Sequence, residues 1–421
     1  MPLRRHVPFL KAVLLHSITA FGGPQAHFGM MQRTFVHLRK DVTDEELLDF
    51  NSFCNILPGA SSTQVLTLIG YKRGGVSLAT LTLIIWILPA CLLMGLLSFL
   101  VEFISTANTT NHIFTYIQPM AIGFLIYAAY QAFAITIKNT ITIAIVITVA
   151  SLIFFFFKFP WIFPLLILVS GLITNISSRR IPQKNFVLKK IKWSNLWLFA
   201  LVFVVSGIIS ETARKGQWNN NLRKPINLFE NTYRMGSFVF GGGQVLIPMM
   251  ESQFSERQQQ NNFTTRNPNA IIIDKEFFYT GAGIVRAIPG PVFSIAAFTG
   301  GLALKDNSII FQLFGIIVGS IAIFLPSALL VLFFYPIWHN LKKHAPVYRA
   351  LEGINAAVVG IMIGSSIYML NDISFSTNNS ISVLNVLTIL GTFLLLKFTK
   401  LASPIIVLLC LLLGIVTGHF A

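Results

Sequence analysis

The chain has 421 residues, of which 54% are hydrophobic and only 11% charged, and its mean hydropathy is +0.71. A soluble domain carries about 25% charged residues, so this chain cannot coat itself for water; it is an all-α polytopic membrane protein surrounded by lipid. The net charge of +16 comes from Lys and Arg in short loops between apolar runs, the pattern of the positive-inside rule, so it does not call for nucleic acid.

In chain order, the first segment, MPLRRHVPFLKAVLLHSITAFGG, imitates a signal peptide, but Lys11 and His16 interrupt its apolar stretch. It also has an internal counterpart ending at Gly243, so it is read as part of the mature protein. The motif Phe21-Gly22-Gly23, with Gln25 and Met30-Met31, interrupts an apolar element. A second interruption is LPGASSTQ, containing Pro58, Gly59, Ser61 and Ser62. Four uninterrupted apolar runs follow, near 77–103, 117–137, 141–157 and 161–176, each close to the roughly 20 residues that a bilayer requires. The loop SSRRIPQKNFVLKKIKW holds six Lys or Arg and leads into a lone apolar run at 196–209.

The second half repeats the first. Phe240-Gly241-Gly242, Gln244 and Met249-Met250 match the first motif, with Gly243 extending the glycine run. After a longer loop, Pro289-Gly290 matches Pro58-Gly59 and Gly301 matches Gly70. Leu325-Pro326 matches Leu88-Pro89, Gly360 matches Gly123, and Lys397 and Pro404 match Lys158 and Pro164. Four more apolar runs lie near 309–335, 354–370, 381–396 and 403–418. Two broken and four uninterrupted elements per half, plus one connecting span, give about 13 hydrophobic elements. An even number per half with one connector inverts the second half relative to the first, as in many secondary transporters. The expected organisation is a first repeat at 1–178, a loop and connecting span at 179–225, and an inverted repeat at 226–421.

Positive-inside counting places the N-terminus, the 177–193 loop and the Lys342-Lys343 loop in the cytoplasm. It places the Ala107 loop, the 371–379 loop and the C-terminus outside. Arg33, Arg39, Lys40, Lys72 and Arg73 all stay cytoplasmic if the broken elements of the first half are re-entrant hairpins. The first three face outward if those elements span. The count leans towards hairpins and leaves both arrangements open.

Adjacent glycines cannot all face one neighbouring helix, so Gly-Gly-Pro, Gly-Gly-Gly and the Pro-Gly pairs read as helix breaks. A broken helix exposes unpaired N–H groups and a positive dipole end, suited to an anion. Four such breaks, paired by the repeat, are expected to converge near the pseudo-twofold axis. Ser61 and Ser62 can donate hydroxyls there. Arg286, three residues before Pro289, is an ionisable group in an apolar stretch, either an anion ligand or a snorkelling anchor; its repeat partner is Asn55. The candidate substrate-binding set is therefore Gly22, Gly23, Gln25, Pro58, Gly59, Ser61, Ser62, Gly241, Gly242, Gly243, Gln244, Arg286, Pro289, Gly290 and Pro291. Glu251 and Glu352 are candidates for proton coupling.

Cys54, Cys91 and Cys410 form no CxxC pair, and the eight histidines show no metal-ligand spacing, so no metal or cofactor is called for. GxSxG, HExxH and GxxxxGK[ST] patterns are absent, which argues against an enzyme and against ATP-driven pumping.

The Phe-Gly-Gly motif with a downstream Pro-Gly-Pro, present in two halves, resembles the chromate ion transporter family in its long, two-domain form. The resemblance covers nearly the whole chain apart from the connecting span. It implies export of chromate from the cytoplasm across the plasma membrane, driven by the proton-motive force, by homologous halves of opposite orientation. The Pro-Gly-Pro maps fully onto Pro289, Gly290 and Pro291; in the first half Ala60 replaces the last proline. Sulfate, or another small anion, is an alternative substrate, because chromate and sulfate are both tetrahedral dianions. The residues leave the oligomeric state open, a homodimer included.

Overall fold

A computed structural model of the chain describes residues 3–106, 113–137, 139–176, 194–216, 218–240, 243–256, 271–306, 308–338, 345–372, 379–399 and 401–419. The basic loop at 177–193, the Lys342-Lys343 loop and the loops at 107–112 and 373–378 lie outside these. Among the described residues the protein is helical, with 16 α-helices and no strand. Five helices are long and apolar enough to cross a membrane.

The broken elements of the first half become two hairpins. Helix α1 (Val7–Thr19) stops at Ala20, and α2 (Gly23–Met31) restarts from Gly22 and Gly23, both at positive φ (+92° and +78°). It continues as a π-helical segment, Gln32–Leu38. Phe9 and His16 of α1 both pack against Phe35 of that segment, so the chain folds back on itself. Helix α3 (Asp44–Cys54) begins with a capping box, in which Thr43 Oγ1 accepts from the Glu46 amide and Glu46 accepts from the Thr43 amide. Helix α4 (Ser61–Thr106) is divided by Gly74 and Gly75, whose backbone is not helical. Residues 61–73 form the return arm of the second hairpin, and residues 76–106 a long span.

Ion pairs tie the open ends of both hairpins together. Lys72 bonds Glu46 at 2.5 Å, Arg73 pairs with Asp41, and the Arg73 guanidinium lies 5.3 Å from the Phe9 ring centroid. The start of α1, the 39–43 loop, the start of α3 and the end of the 61–73 arm therefore share one level. An arm such as α1, of 13 residues, is about 20 Å long and falls short of a hydrocarbon core of about 30 Å. At both breaks of the first half the chain folds back on itself as a hairpin.

Helices α5 (Ile117–Thr136), α6 (Thr140–Phe156) and α7 (Ile162–Asn175) complete the first half, and α8 (Ser194–Lys215) is the connector. The second half repeats the plan. Helix α9 (Asn220–Phe238) breaks at the second glycine run, and α10 (Leu246–Glu251) continues as another π-helical segment, Ser252–Glu256. Helices α11 (Lys275–Ile284) and α12 (Ile295–Ala303) flank the Pro289-Gly290 break, and α13 (Ile309–Phe334) is the long span. Again the open ends meet: Lys224 of α9 bonds Asp306 at 3.2 Å, and Lys305 lies 5.2 Å from the Phe277 ring centroid. Helices α14 (Ala345–Asp372), α15 (Asn379–Phe398) and α16 (Ser403–His419) follow.

The halves interlock by reciprocal contacts. The Gly59 amide donates to the Val239 carbonyl at 2.6 Å, and the Gly290 amide donates to the Ala20 carbonyl at 2.8 Å. Val239 and Ala20 are the equivalent residues just before the two Phe-Gly-Gly motifs. A Cβ on Gly59 would run into Ser327, which follows Pro326 in α13. A Cβ on Gly290 would lie 2.9 Å from the Cβ of Ala90, which follows Pro89 in α4. Farther out, α5 packs on α14 and α15, while α14 packs on α6 and α7. There Gly123 abuts Ile389 and Thr392, and its repeat partner Gly360 abuts Val146 and Val149. Gly300, Gly315 and Gly319 are plain close-packing sites between α12 and α13.

Gly290 has φ of +107°, so a side chain there is strained as well as crowded. Gly290→Ala is expected to lower stability by about 1–3 kcal/mol, read as an earlier thermal transition of the detergent-solubilised protein. Gly391→Ala, where nothing lies within 4 Å of an added Cβ, is expected not to destabilise it. Equal transitions for both variants would contradict the interlock.

Candidate functional site

Three of the four breaks converge on one cavity of about 90 Å³. A cavity needs roughly 10–15 Å³ to hold one water, so this one has room for several waters or for one small oxyanion. The first break contributes Gly22 and Gly23, the third Gln244, and the fourth Arg286, Ile288 and Gly290. Helix α5 closes one wall with Phe124, Tyr127, Ala128 and Gln131. Leu396 and Ser403, on either side of the α15–α16 turn, reach the same space.

The polar groups of this cavity are mostly donors. Arg286 Nη2 donates to Gln244 Oε1 at 3.1 Å, and its guanidinium carbon lies 5.9 Å from the Phe124 ring centroid. Gln244 thus spends its carbonyl on the arginine and keeps its NH₂ as a donor. Among the described residues no carboxylate pairs with Arg286. On the α5 wall, Gln131 Nε2 donates to the Tyr127 hydroxyl at 2.7 Å, which leaves that hydroxyl its own proton to give. A half-buried guanidinium with four unused N–H donors, beside amide and phenol donors, is suited to a small anion.

The other residues singled out from sequence lie elsewhere. Gly59 forms the reciprocal bond to Val239, and Gln64 Nε2 satisfies the Pro58 carbonyl at 2.8 Å. Ser61 and Ser62 are buried; Ser62 Oγ meets His27 Nδ1 at 3.2 Å rather than lining the cavity. Gly243 has φ of +96° and packs against the Phe293 ring. Pro289 and Pro291 flank Gly290 without lining the cavity. Gly241, Gly242 and the side chain of Gln25 lie outside the described residues. Glu251 is fully buried and accepts the Tyr279 hydroxyl. Glu352 accepts from the side chain of Asn139, the N-cap of α6.

Sequence reasoning missed Phe124, Tyr127 and Gln131. The signal was present: Tyr127 and Gln131 are four residues apart, on one helix face, in an otherwise apolar span. It also missed the paired π-helical segments, which follow the two glycine breaks in both halves.

Comparison with known proteins agrees with this architecture. The sequence model of the chromate transporter family matches residues 8–175 and again 226–415, one match per half. The chain is 24% identical over 402 residues to the chromate transport protein of Cupriavidus metallidurans, covering 94% of this chain and 89% of that one. It is 26% identical over 416 residues to an uncharacterised transporter of Methanocaldococcus jannaschii, covering 94% and 90%. A chromate transport protein of Pseudomonas aeruginosa is 22% identical over 372 residues, covering 85% and 79%. No solved structure matches. The paired glycine breaks, the twofold repetition and the family match over both halves lead to one conclusion: the chain belongs to the chromate transporter family.

Proposed function

We propose that the protein is a secondary active carrier that exports chromate from the cytoplasm across the plasma membrane, driven by the proton-motive force. The observation that carries this reading is Arg286, a guanidinium at a central cavity whose polar neighbours are donors and which has no carboxylate partner among the described residues. An uncompensated charge within a membrane protein is costly, and it is retained where a mobile ion of opposite sign completes the site. Chromate is favoured because similar proteins are described as chromate transport proteins.

In the same reading the two halves are inverted, with the N-terminus inside and the C-terminus outside. Contacts between the halves support the alternation of spans. Asn139 meets Glu352, Thr174 abuts Gly353, and Tyr130 meets Lys397, all near ends assigned to the cytoplasm. Phe157 stacks on Tyr368, near ends assigned to the outside. Gln131, Leu396 and Ser403 then lie on the cytoplasmic side of the cavity, which favours a state that loads from the cytoplasm.

Three expectations test this. Everted vesicles containing the protein should accumulate chromate in preference to sulfate, and only with a proton gradient; gradient-independent chromate uptake, or preference for sulfate, would overturn the assignment. Arg286→Gln should weaken chromate affinity by about 1–3 kcal/mol, or roughly 5–150-fold, with Arg286→Lys recovering part of the loss because an ammonium lacks the planar fork. Unchanged affinity in Arg286→Gln would reduce the residue to an anchor. Single cysteines at positions 190 and 343 should label from the cytoplasm, and those at 107 and the C-terminus from outside; opposite labelling of 190 and 343 would break the inverted arrangement.

A further inference from the structure

We propose that His16 and His27, packed together against Trp86, form the proton-binding site of this carrier, an inference that rests on the reading of the chain as proton-coupled. Both histidines are buried, at 2% and 1% exposure, in the hairpins of the first half. The His16 imidazole stacks on the Trp86 indole at 5.2 Å and 22°, and the His27 imidazole meets the same indole edge-on at 5.4 Å. His27 Nδ1 is bonded to Ser62 Oγ, and Trp86 Nε1 donates to Thr63 Oγ1 at 3.0 Å. Among the described residues, Nε2 of each histidine is buried without a hydrogen bond of ordinary geometry, and the His27 ring also approaches the Ala20 backbone.

A buried imidazole nitrogen with nothing to bond is a costly arrangement for a purely structural residue. It is a useful one for a group that must take up and release a proton. In the tautomer in which His27 Nδ1 donates to Ser62 Oγ, Nε2 keeps the basic lone pair, and binding a proton there yields an imidazolium. The indole face stabilises such a cation. His16 lies in the last turn of α1, where the helix dipole also favours positive charge. Two imidazoliums on one indole repel, so the pair takes a single proton.

Other ionisable groups around the pair are engaged or turned away. On α1, Lys11 is exposed, and His6, just before that helix, lies ten residues or about 15 Å from His16. Arg33 and His37 on the π-helical segment are exposed. Lys72 and Arg73 of α4 are paired with Glu46 and Asp41, and Cys54 of α3 is buried in the apolar core of the hairpins. From the second half, Arg286 lies on the break that bonds Ala20 and faces Gln244.

The site is coupled to the cavity through backbone. The His16 carbonyl accepts the Ala20 amide at 2.9 Å, and the Ala20 carbonyl accepts the amide of Gly290, which lines the cavity. His27 sits on α2, whose first residue, Gly23, lines it too. A charge gained at the pair therefore acts on both sides of the first break, the element that bears on the interlock.

Trp86 supplies a readout independent of transport, because a protonated imidazole in contact with indole quenches its fluorescence. In a protein whose other five tryptophans are replaced by Phe, Trp86 emission should fall through one single-proton transition as pH is lowered from 7 to 3. His16→Asn with His27→Asn should abolish that transition. In proteoliposomes, a gradient of one pH unit sustains about a tenfold chromate gradient per coupled proton, since tenfold corresponds to about 1.4 kcal/mol. The double variant should lose this accumulation while retaining chromate–chromate exchange. No pH transition at Trp86, a transition that survives both substitutions, or full gradient-driven accumulation by the double variant would each overturn the proposal. A protein that shows the Trp86 transition but moves no chromate would overturn the carrier reading and leave the proton site standing.

Discussion

Two backbone hydrogen bonds organise this molecule: Gly59 to Val239 and Gly290 to Ala20. Within a bilayer an unsatisfied amide costs several kcal/mol, so a helix can break at membrane depth only where something else accepts its freed N–H groups. Each half of this protein supplies the acceptor for the other, from the carbonyl just before its own Phe-Gly-Gly break. Neither half can keep its Pro-Gly break satisfied in this way without its partner. The exchange also forces the breaks to face one another, and the cavity is the space left between them. Glycine is needed at both donors because the backbone is at positive φ and the neighbouring span lies against it.

The scaffold is nearly symmetric, but the chemistry on it is not. Arg286 occupies the position that Asn55 has in the first half. Conversely, the repeat register sets Met235, Leu246 and Ile323 where the first half has His16, His27 and Trp86. In the proposed mechanism the second half thus carries the fixed positive charge for the anion, and the first half carries the titratable pair. Such a division places anion and proton on opposite sides of one interlock. That is the arrangement a coupled carrier needs if occupancy of one site is to bias the other.

Much of this was legible in the residues. Three of the repeat pairs became pairs of equivalent contacts: Gly59 with Gly290, Gly123 with Gly360, and the neighbours of Pro89 with those of Pro326. Glycine and proline report backbone geometry directly, so their spacing survives in a single sequence. Partner choice is a tertiary property and did not survive. The hydroxyls of LPGASSTQ looked like anion donors, but Ser62 bonds to His27 of the first hairpin and Thr63 accepts from Trp86 of the long span. The α5 wall was missed because Tyr127 and Gln131, though on one helix face, do not by themselves say which neighbours that face meets. In the second half, acids and bases are mixed at the hairpin ends, as at Asp274-Lys275-Glu276 and Lys305-Asp306, so a count of charges does not place them. There the contact of Lys224 with Asp306 does what Lys72 and Glu46 do in the first half.

The central claim is that the converging breaks hold an oxyanion. It is tested most directly by crystals of the protein grown with chromate and measured at the chromium absorption edge. The account predicts one anomalous peak inside the cavity, within hydrogen-bonding reach of the Arg286 guanidinium and beside Gly22, Gln244 and Gly290. A fully occupied peak elsewhere, with the cavity empty of chromium, would contradict it.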